Sequence, residues 1–206
     1  MFHVKHSTSP PPLENVSRET LLRLELFADL LLTWNARINL ISRADAPHLW
    51  QRHITDALQL APLIPPGCPR AIDLGSGAGF PGLILAIAYG IEVDLIEQDQ
   101  RKAAFLREAA MVTRAPVHIH ATKIERAKVA PAPLVVSRAL ATLPILLGWA
   151  HPLLTEDGIC LFPKSSTAES EITQAERRWS MHIDRLPSRT DPNGVILRIR
   201  DLRPKA

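Results

Sequence analysis

Between Asp73 and Gly82 the chain reads DLGSGAGFPG, with glycines at 75, 77, 79 and 82 directly after a short apolar run. Glycine tolerates positive φ and lets backbone approach a ligand where a side chain would collide, and a helix opening after such a turn presents free N–H groups. The chemistry on offer is that of holding a nucleotide-like cofactor. Two registers compete: Gly77, Gly79 and Gly82 spell G-x-G-x-x-G, the dinucleotide fingerprint, whereas Gly75, Gly77 and Gly79 spell G-x-G-x-G immediately after the strand. Glu97 stands 22 residues after Gly75, where an acidic side chain accepts both hydroxyls of a ribose. Pro81 removes an N–H where a pyrophosphate wants donors, and the Asp73 carboxylate would repel one. Both features suit S-adenosylmethionine, which has no phosphate and carries a sulfonium and an ammonium for Asp73 to complement. A turn that serves only close helix–strand packing is the plainer alternative.

Other reactive residues are few. Cys68 lies in a Pro-rich loop and Cys160 in an apolar run, without C-x-x-C or Cys/His spacing, so neither a disulfide framework nor a zinc or other metal site is expected. His53 and Asp56, three apart on one helix face, read either as a proton relay or as a structural pair joining an N-terminal extension to the core. Trp34 reads as a base-stacking surface or as a buried helix position.

Elements that would position these groups follow from periodicity. Ser17 to Trp34 carries apolar residues at helical spacing, and a second helix is expected within Pro47 to Ile64. After the run Pro65 to Arg70, short β-branched segments alternate with longer amphipathic ones, the pattern of a parallel sheet covered by helices. Expected strands are 71–74, 91–96, 117–121, 134–137 and 158–162; expected helices are 81–89, 101–112, 143–154 and 167–179. Two last strands, 182–186 and 195–199, flank the turn signal Asp191 to Gly194 and should form an antiparallel hairpin, with Arg198 and Arg200 facing outward on an edge strand. The division expected is a flexible leader, 1–16, a helical extension, 17–66, and a cofactor-binding domain, 67–206.

With 206 residues, 46% hydrophobic and 22% charged, the chain supports one sizeable core, and its net charge of +3 permits a polyanionic partner without demanding one. No apolar run approaches the ~18 residues of a membrane span, and the N-terminus lacks a signal-peptide core, so the expectation is a cytoplasmic, non-membrane protein.

The segment IDLGSGAGFPGLILAI, Ile72 to Ile87, resembles motif I of the bacterial 16S ribosomal RNA methyltransferase G family, also called glucose-inhibited division protein B, whose specific mark is the Phe-Pro-Gly tail. WNARINL from Trp34, RHITDAL from Arg52, SRALATL from Ser137 and FPK from Phe162 agree with it, while Ala57 stands where the family usually has Ser and Ser165 where a Gly commonly follows the Lys. The resemblance implies a Rossmann-like class I S-adenosylmethionine-dependent methyltransferase fold, with a mostly parallel seven-stranded sheet, a C-terminal antiparallel hairpin and the helical extension. It implies methyl transfer from S-adenosylmethionine to N7 of one guanine in 16S rRNA, leaving S-adenosylhomocysteine.

Carried over by position, cofactor contacts would be Gly75 and Phe80, Ile124 and Glu125 beside the adenine, and Arg138 after the fourth strand, joining Asp73, Gly77, Gly79 and Glu97. Guanine N7 needs no deprotonation, so no general base is expected and Arg138 is a positioning residue. An exocyclic-amine methyltransferase would show Asn/Asp-Pro-Pro-aromatic where this chain has SRAL, and a pyrimidine carbon-five enzyme needs a nucleophilic cysteine. Arg37, Arg43, Arg52, Lys123, Arg126 and Lys164 are candidates to meet RNA phosphates. A methyltransferase of the same fold with another RNA, protein or small-molecule substrate, a dinucleotide-dependent oxidoreductase and a non-catalytic RNA-binding domain are the competing readings. No coiled-coil heptad points to a dimer, so a monomer is expected.

Overall fold

A computed structural model describes residues 16–205; the leader expected over 1–16 falls almost wholly outside them. Helix α1, Arg18–Asn35, is capped by Ser17, whose Oγ accepts from Thr20 N at 3.1 Å, and buries Leu24, Phe27, Ala28 and Leu31. The next segment departs from the expected single helix. A short 3-10 turn opened by Pro47 runs into a π-helical turn, Trp50–Thr55, and then α2, Asp56–Leu58. Such wide turns recur at functional sites, and this one carries His53.

Seven strands follow: β1, Arg70–Leu74; β2, Glu92–Ile96; β3, Val117–His120; β4, Ala132–Val136; β5, Leu154–Lys164; β6, Trp179–Pro187; and β7, Val195–Pro204. They form one sheet in the order β3-β2-β1-β4-β5-β7-β6, parallel from β3 to β5 and antiparallel through β7 and β6. The alternation and the terminal hairpin match the reading from sequence. The position of β7 does not: it lies inside the sheet between β5 and β6 instead of at an edge, and Arg198 and Arg200, which do point outward, both pair with Asp184 of β6. An arginine on alternate strand positions looks the same whether its neighbour is water or another strand's carboxylate.

Helices α3, Gly82–Tyr89, and α4, Gln100–Thr113, join α1 on one face, and α5, Leu143–Ala150, with α6, Ala168–Ala175, cover the other. Asp99 caps α4, its Oδ1 accepting from Arg101 N and Lys102 N. Arg23 closes the other end of α4, donating to Thr113 O at 2.6 Å and Arg114 O at 3.2 Å, a cation at the negative pole of the helix. Phe27 meets Phe80 edge-on at 5.6 Å and Phe105 at 6.1 Å, so α1 is fastened to the glycine turn by an aromatic cluster. Trp34 packs on Phe105 and donates Nε1–H to Glu108, a half-buried structural position. Ala57 sits at 1% exposure among the apolar residues beneath α3, where a serine hydroxyl would need a partner. Cys160 is fully buried on β5, and burial pushes its thiol up.

Candidate active site

Strand order reverses between β1 and β4, and the crevice at the carboxyl ends of such strands is where α/β sheets bind ligands. Here it is an open cleft of about 890 Å³. Its floor is the glycine turn. Ser76 N donates to Ile96 O, Ser137 Oγ donates to Leu74 O, and Glu97 N donates to His120 O, so the ends of β1, β2 and β4 are mutually fixed. Gly75 has φ +65°, and a Cβ there would lie 2.5 Å from Leu140, which closes the turn from the β4 side. Glu97 faces the cleft, with Oε2 accepting from Gly77 N at 2.8 Å and Oε1 from Asp99 N at 2.7 Å. Each oxygen keeps a lone pair, so the carboxylate is held rigid and still able to accept hydroxyls.

Opposite the glycines, Arg138 is the hub. Its Nη1 donates to Arg52 O at 3.0 Å and Asp56 Oδ2 at 3.1 Å, and its Nη2 donates to His53 Nδ1 at 2.7 Å. The guanidinium carbon lies 4.9 Å from the centre of the Phe80 ring, on which His53 stacks at 5.0 Å. Burial, then the Arg138 charge, pushes His53 down to about 4, so the imidazole is neutral at pH 7 and its Nδ1 is an acceptor. Its Nε2 is buried without a partner, 3.9 Å from Asp45 Oδ2. A hydrogen bond from Ser42, helped by Arg52, holds the Asp45 carboxyl below its ordinary range.

Of the residues expected from sequence, Gly75, Gly77, Phe80, Glu97, Arg138, Arg52 and Lys164 line this cleft. Asp73 does not. Its side chain is fully buried, Oδ2 accepts from Gly82 N at 3.0 Å, and Oδ1 has no partner; desolvation raises it to about 7. The expected complement between Asp73 and a cofactor cation therefore has no contact to act through. Gly79, at φ +90°, packs beneath Leu83 and Leu106, and Gly82 allows α3 to sit against Asp73 and Leu95. Ile124 and Glu125 form a 3-10 turn outside the cleft wall, where Glu125 accepts from Trp149 Nε1. Arg37, Arg43, Lys123 and Arg126 are exposed and also outside it. Lys164 is not a free cation: at 9% exposure it donates to Ala141 O at 2.7 Å and Glu171 Oε2 at 2.8 Å. Glu171 also accepts from Leu143 N, so this pair pins the loop after Arg138 to α5 and α6. Ser165 is exposed beside it and lines the cleft, with its Oγ in a long contact with Thr167 Oγ1 and its carbonyl accepting from Ala168 N.

Sequence reasoning missed Leu40, Ile41 and Asp45, which wall the cleft from the loop after α1, and Ser188, Asp191 and Gly194 from the β6–β7 loop. Only Asn35 signalled the first group: its Oδ1 accepts from Leu40 N and Ile41 N and shapes that loop.

A profile described as rRNA small subunit methyltransferase G matches residues 20–190. The chain belongs to the rRNA small subunit methyltransferase G family. Among similar relatives, the ribosomal RNA small subunit methyltransferase G of Gluconobacter oxydans is 56% identical over 191 residues, covering 93% of this chain and 98% of the relative. That of Granulibacter bethesdensis is 50% identical over 210 residues, covering 98% and 99%. Solved structures share the fold at low identity. A ribosomal protein L11 methylase from Lactobacillus delbrueckii subsp. bulgaricus aligns with TM-score 0.57 at 18% identity, covering 72% of this chain and 77% of that one. An O-methyltransferase from Bacillus cereus, in complex with SAH, aligns with TM-score 0.56 at 15% identity, covering 85% and 90%. This rRNA small subunit methyltransferase G family member thus has the class I methyltransferase fold, and among its described residues no helix is long and apolar enough to cross a membrane.

Proposed function

We propose that the cleft binds S-adenosylmethionine and that the protein, as a cytoplasmic monomer, methylates N7 of a guanine in 16S rRNA. The observation that carries the cofactor reading is the state of the α3 N-terminus. Pro81 has no N–H, Gly82 N is taken by Asp73 Oδ2, and Leu83 N by Gly79 O, so the first three positions of the helix end that would cradle a pyrophosphate offer it no donor. Glu97 keeps its capacity for a ribose diol. The wall therefore fits a nucleoside without phosphates. Gly75, Gly77 and Glu97 would hold the nucleoside, and Phe80 and Arg138 would flank its reactive end; Ile124 and Glu125 remain the adenine-side candidates, implied by family position.

When bound, S-adenosylmethionine supplies an electrophilic methyl group, and guanine N7 offers an in-plane lone pair that needs no deprotonation. The residues of the cleft agree with a reaction run without a base. His53 has Nδ1 occupied by Arg138 and Nε2 buried, and Asp56 has both oxygens engaged, by Arg138 on one side and by Thr190 and Gln59 on the other. Their work is to fix the Arg138 guanidinium against Phe80 and to keep water from that wall, which is a positioning task.

The test uses small-subunit RNA and particles from cells lacking the modification. Incubation with S-adenosylmethionine followed by borohydride and aniline cleavage should reveal one new N7-methylguanine site. No new site on either RNA form refutes the substrate reading. Calorimetry should show binding of S-adenosylhomocysteine and none of NAD; the reverse refutes the cofactor reading.

A further inference from the structure

A second hollow of about 430 Å³ opens from the cleft, sharing Arg52, Asp56 and Asp191 with it. One wall is His48, Gln51 and Arg52, all exposed; the other is Thr190 to Pro192 in the β6–β7 loop. That loop is firmly placed. Gln59 Nε2 donates to Ser188 Oγ at 3.2 Å and Thr190 Oγ1 at 3.0 Å, and Gln59 Oε1 accepts from Arg189 N at 2.8 Å. Thr190 Oγ1 donates to Asp56 Oδ1 at 2.5 Å. Asp56 thus forms the floor and, through its other oxygen, holds Arg138 in the cleft.

The polar groups left unspent on the wall of His48, Gln51 and Arg52 include its donors, and across the hollow one carboxylate oxygen, Asp191 Oδ2, makes no hydrogen bond among the described residues. The charge of Asp56 is offset by Arg138 and its oxygens are occupied, and Asp191 Oδ1 accepts from Asn193 N at 2.9 Å. His48 and Gln51 make no side-chain hydrogen bonds among the described residues. The Arg52 side chain is 62% exposed and, among the described residues, pairs with Asp45 alone, a partly exposed pair that can exchange for another anion. Donors on one wall and the Pro192 ring on the other match a phosphodiester with its attached nucleotide. A target base in a polymer brings neighbours with it, and the strand needs a path out of the cleft; the shared residues make the hollow continuous with it.

We infer that this hollow seats the phosphodiester and nucleotide adjoining the target base of a single-stranded RNA segment, with His48, Gln51 and Arg52 as its donors. Asp56 couples the hollow to Arg138, so an occupant that presses on the Thr190 loop acts on the guanidinium two hydrogen bonds away. This rests on the RNA substrate proposed above.

The experiment uses H48E and Q51E, each placing a carboxylate in the hollow at an exposed position whose side chain makes no hydrogen bond among the described residues. Q174E, at an exposed position of α6 that lines neither the cleft nor the hollow, makes the same charge change as Q51E. Initial rates of tritiated methyl transfer to small-subunit RNA are measured for all three, with calorimetric binding of S-adenosylhomocysteine alongside. H48E and Q51E should raise KM for RNA about 10-fold, with kcat within about twofold and unchanged affinity for S-adenosylhomocysteine, while Q174E tracks the wild type. Values of KM for H48E and Q51E equal to that of Q174E would overturn the inference alone. A wild-type protein that methylates no RNA would instead refute the substrate reading, and this inference with it.

Discussion

Gly82→Ala sets two effects of opposite sign against each other. Gly82 opens α3 with ordinary helical backbone, so helix propensity alone favours alanine by up to about 1 kcal/mol. The added Cβ, however, would lie 2.6 Å from Asp73 Cβ, 2.7 Å from Asp73 Oδ2 and 2.8 Å from Leu95 Cδ2. Asp73 and Leu95 sit on strands of the buried sheet and cannot swing away, so overpacking costs about 1–3 kcal/mol. Moving α3 outward to relieve the clash breaks the bond from Gly82 N to Asp73 Oδ2, and since Oδ1 is already orphaned, the whole carboxyl loses its partner, costing about 1–3 kcal/mol more. Packing wins, and the net expectation is a loss of about 3 kcal/mol, read as a lower urea midpoint at unchanged slope. Gly148→Ala is the matched control: it is a helical glycine in α5 with nothing within 4 Å of the new Cβ, and it should gain about 0.5–1 kcal/mol. A Gly82→Ala protein as stable as Gly148→Ala would refute the assignment of Gly82 to helix–strand contact.

Three further outcomes follow from the buried charges. Asp73 is raised from an unfolded value of about 4 to about 7, so the folded state binds more protons between those values and stability falls as pH rises through them; Asp73→Asn should flatten the urea midpoint between pH 5 and 8, removing a change of about 2–3 kcal/mol. His53, lowered to about 4, behaves oppositely, with stability present above about pH 6.5 and lost as pH falls toward 4, and its NMR titration should show a midpoint near 4; His53→Gln keeps an acceptor for Arg138 and should bind S-adenosylhomocysteine more tightly than His53→Leu, equal affinities refuting the orienting role. Glu171→Ala strands the 9%-exposed Lys164 ammonium and the Leu143 N–H, so its midpoint in urea should correspond to a loss of about 3 kcal/mol.

The β/α alternation and the closing hairpin were legible because period and turn chemistry are local. The turn at Trp50–Thr55 was not, since one wide π turn and one α turn share nearly the same apolar spacing. The glycine turn shows a subtler limit. Sequence pointed to a phosphate-free cofactor through the charge of Asp73, yet Asp73 is fully buried and does not line the cleft; it bears on the choice by occupying the first N–H after Pro81 at the start of α3. Charge was visible in the sequence and direction was not. Lys164 was misread for the same reason, as a lysine at a strand end looks solvated until Glu171, seven residues on, is seen to fold back on it. The hub around Arg138 joins Arg52, His53 and Asp56 to a residue more than 80 positions away, and no local pattern announces such a contact.

Placing β7 between β5 and β6 has a consequence for how the molecule is made. Residues 195–204 leave the ribosome after every other strand, yet they occupy an interior lane of the sheet. Until they arrive, β5 presents a row of unpaired N–H and C=O groups, β6 has no strand beside it, and the loop that walls the cleft at Ser188, Asp191 and Gly194 has no strand at its far end. The nascent chain therefore carries its glycine turn and Arg138 before the strand that closes the site around them, so a newly made copy becomes competent only once β7 has been made and has paired with β5 and β6.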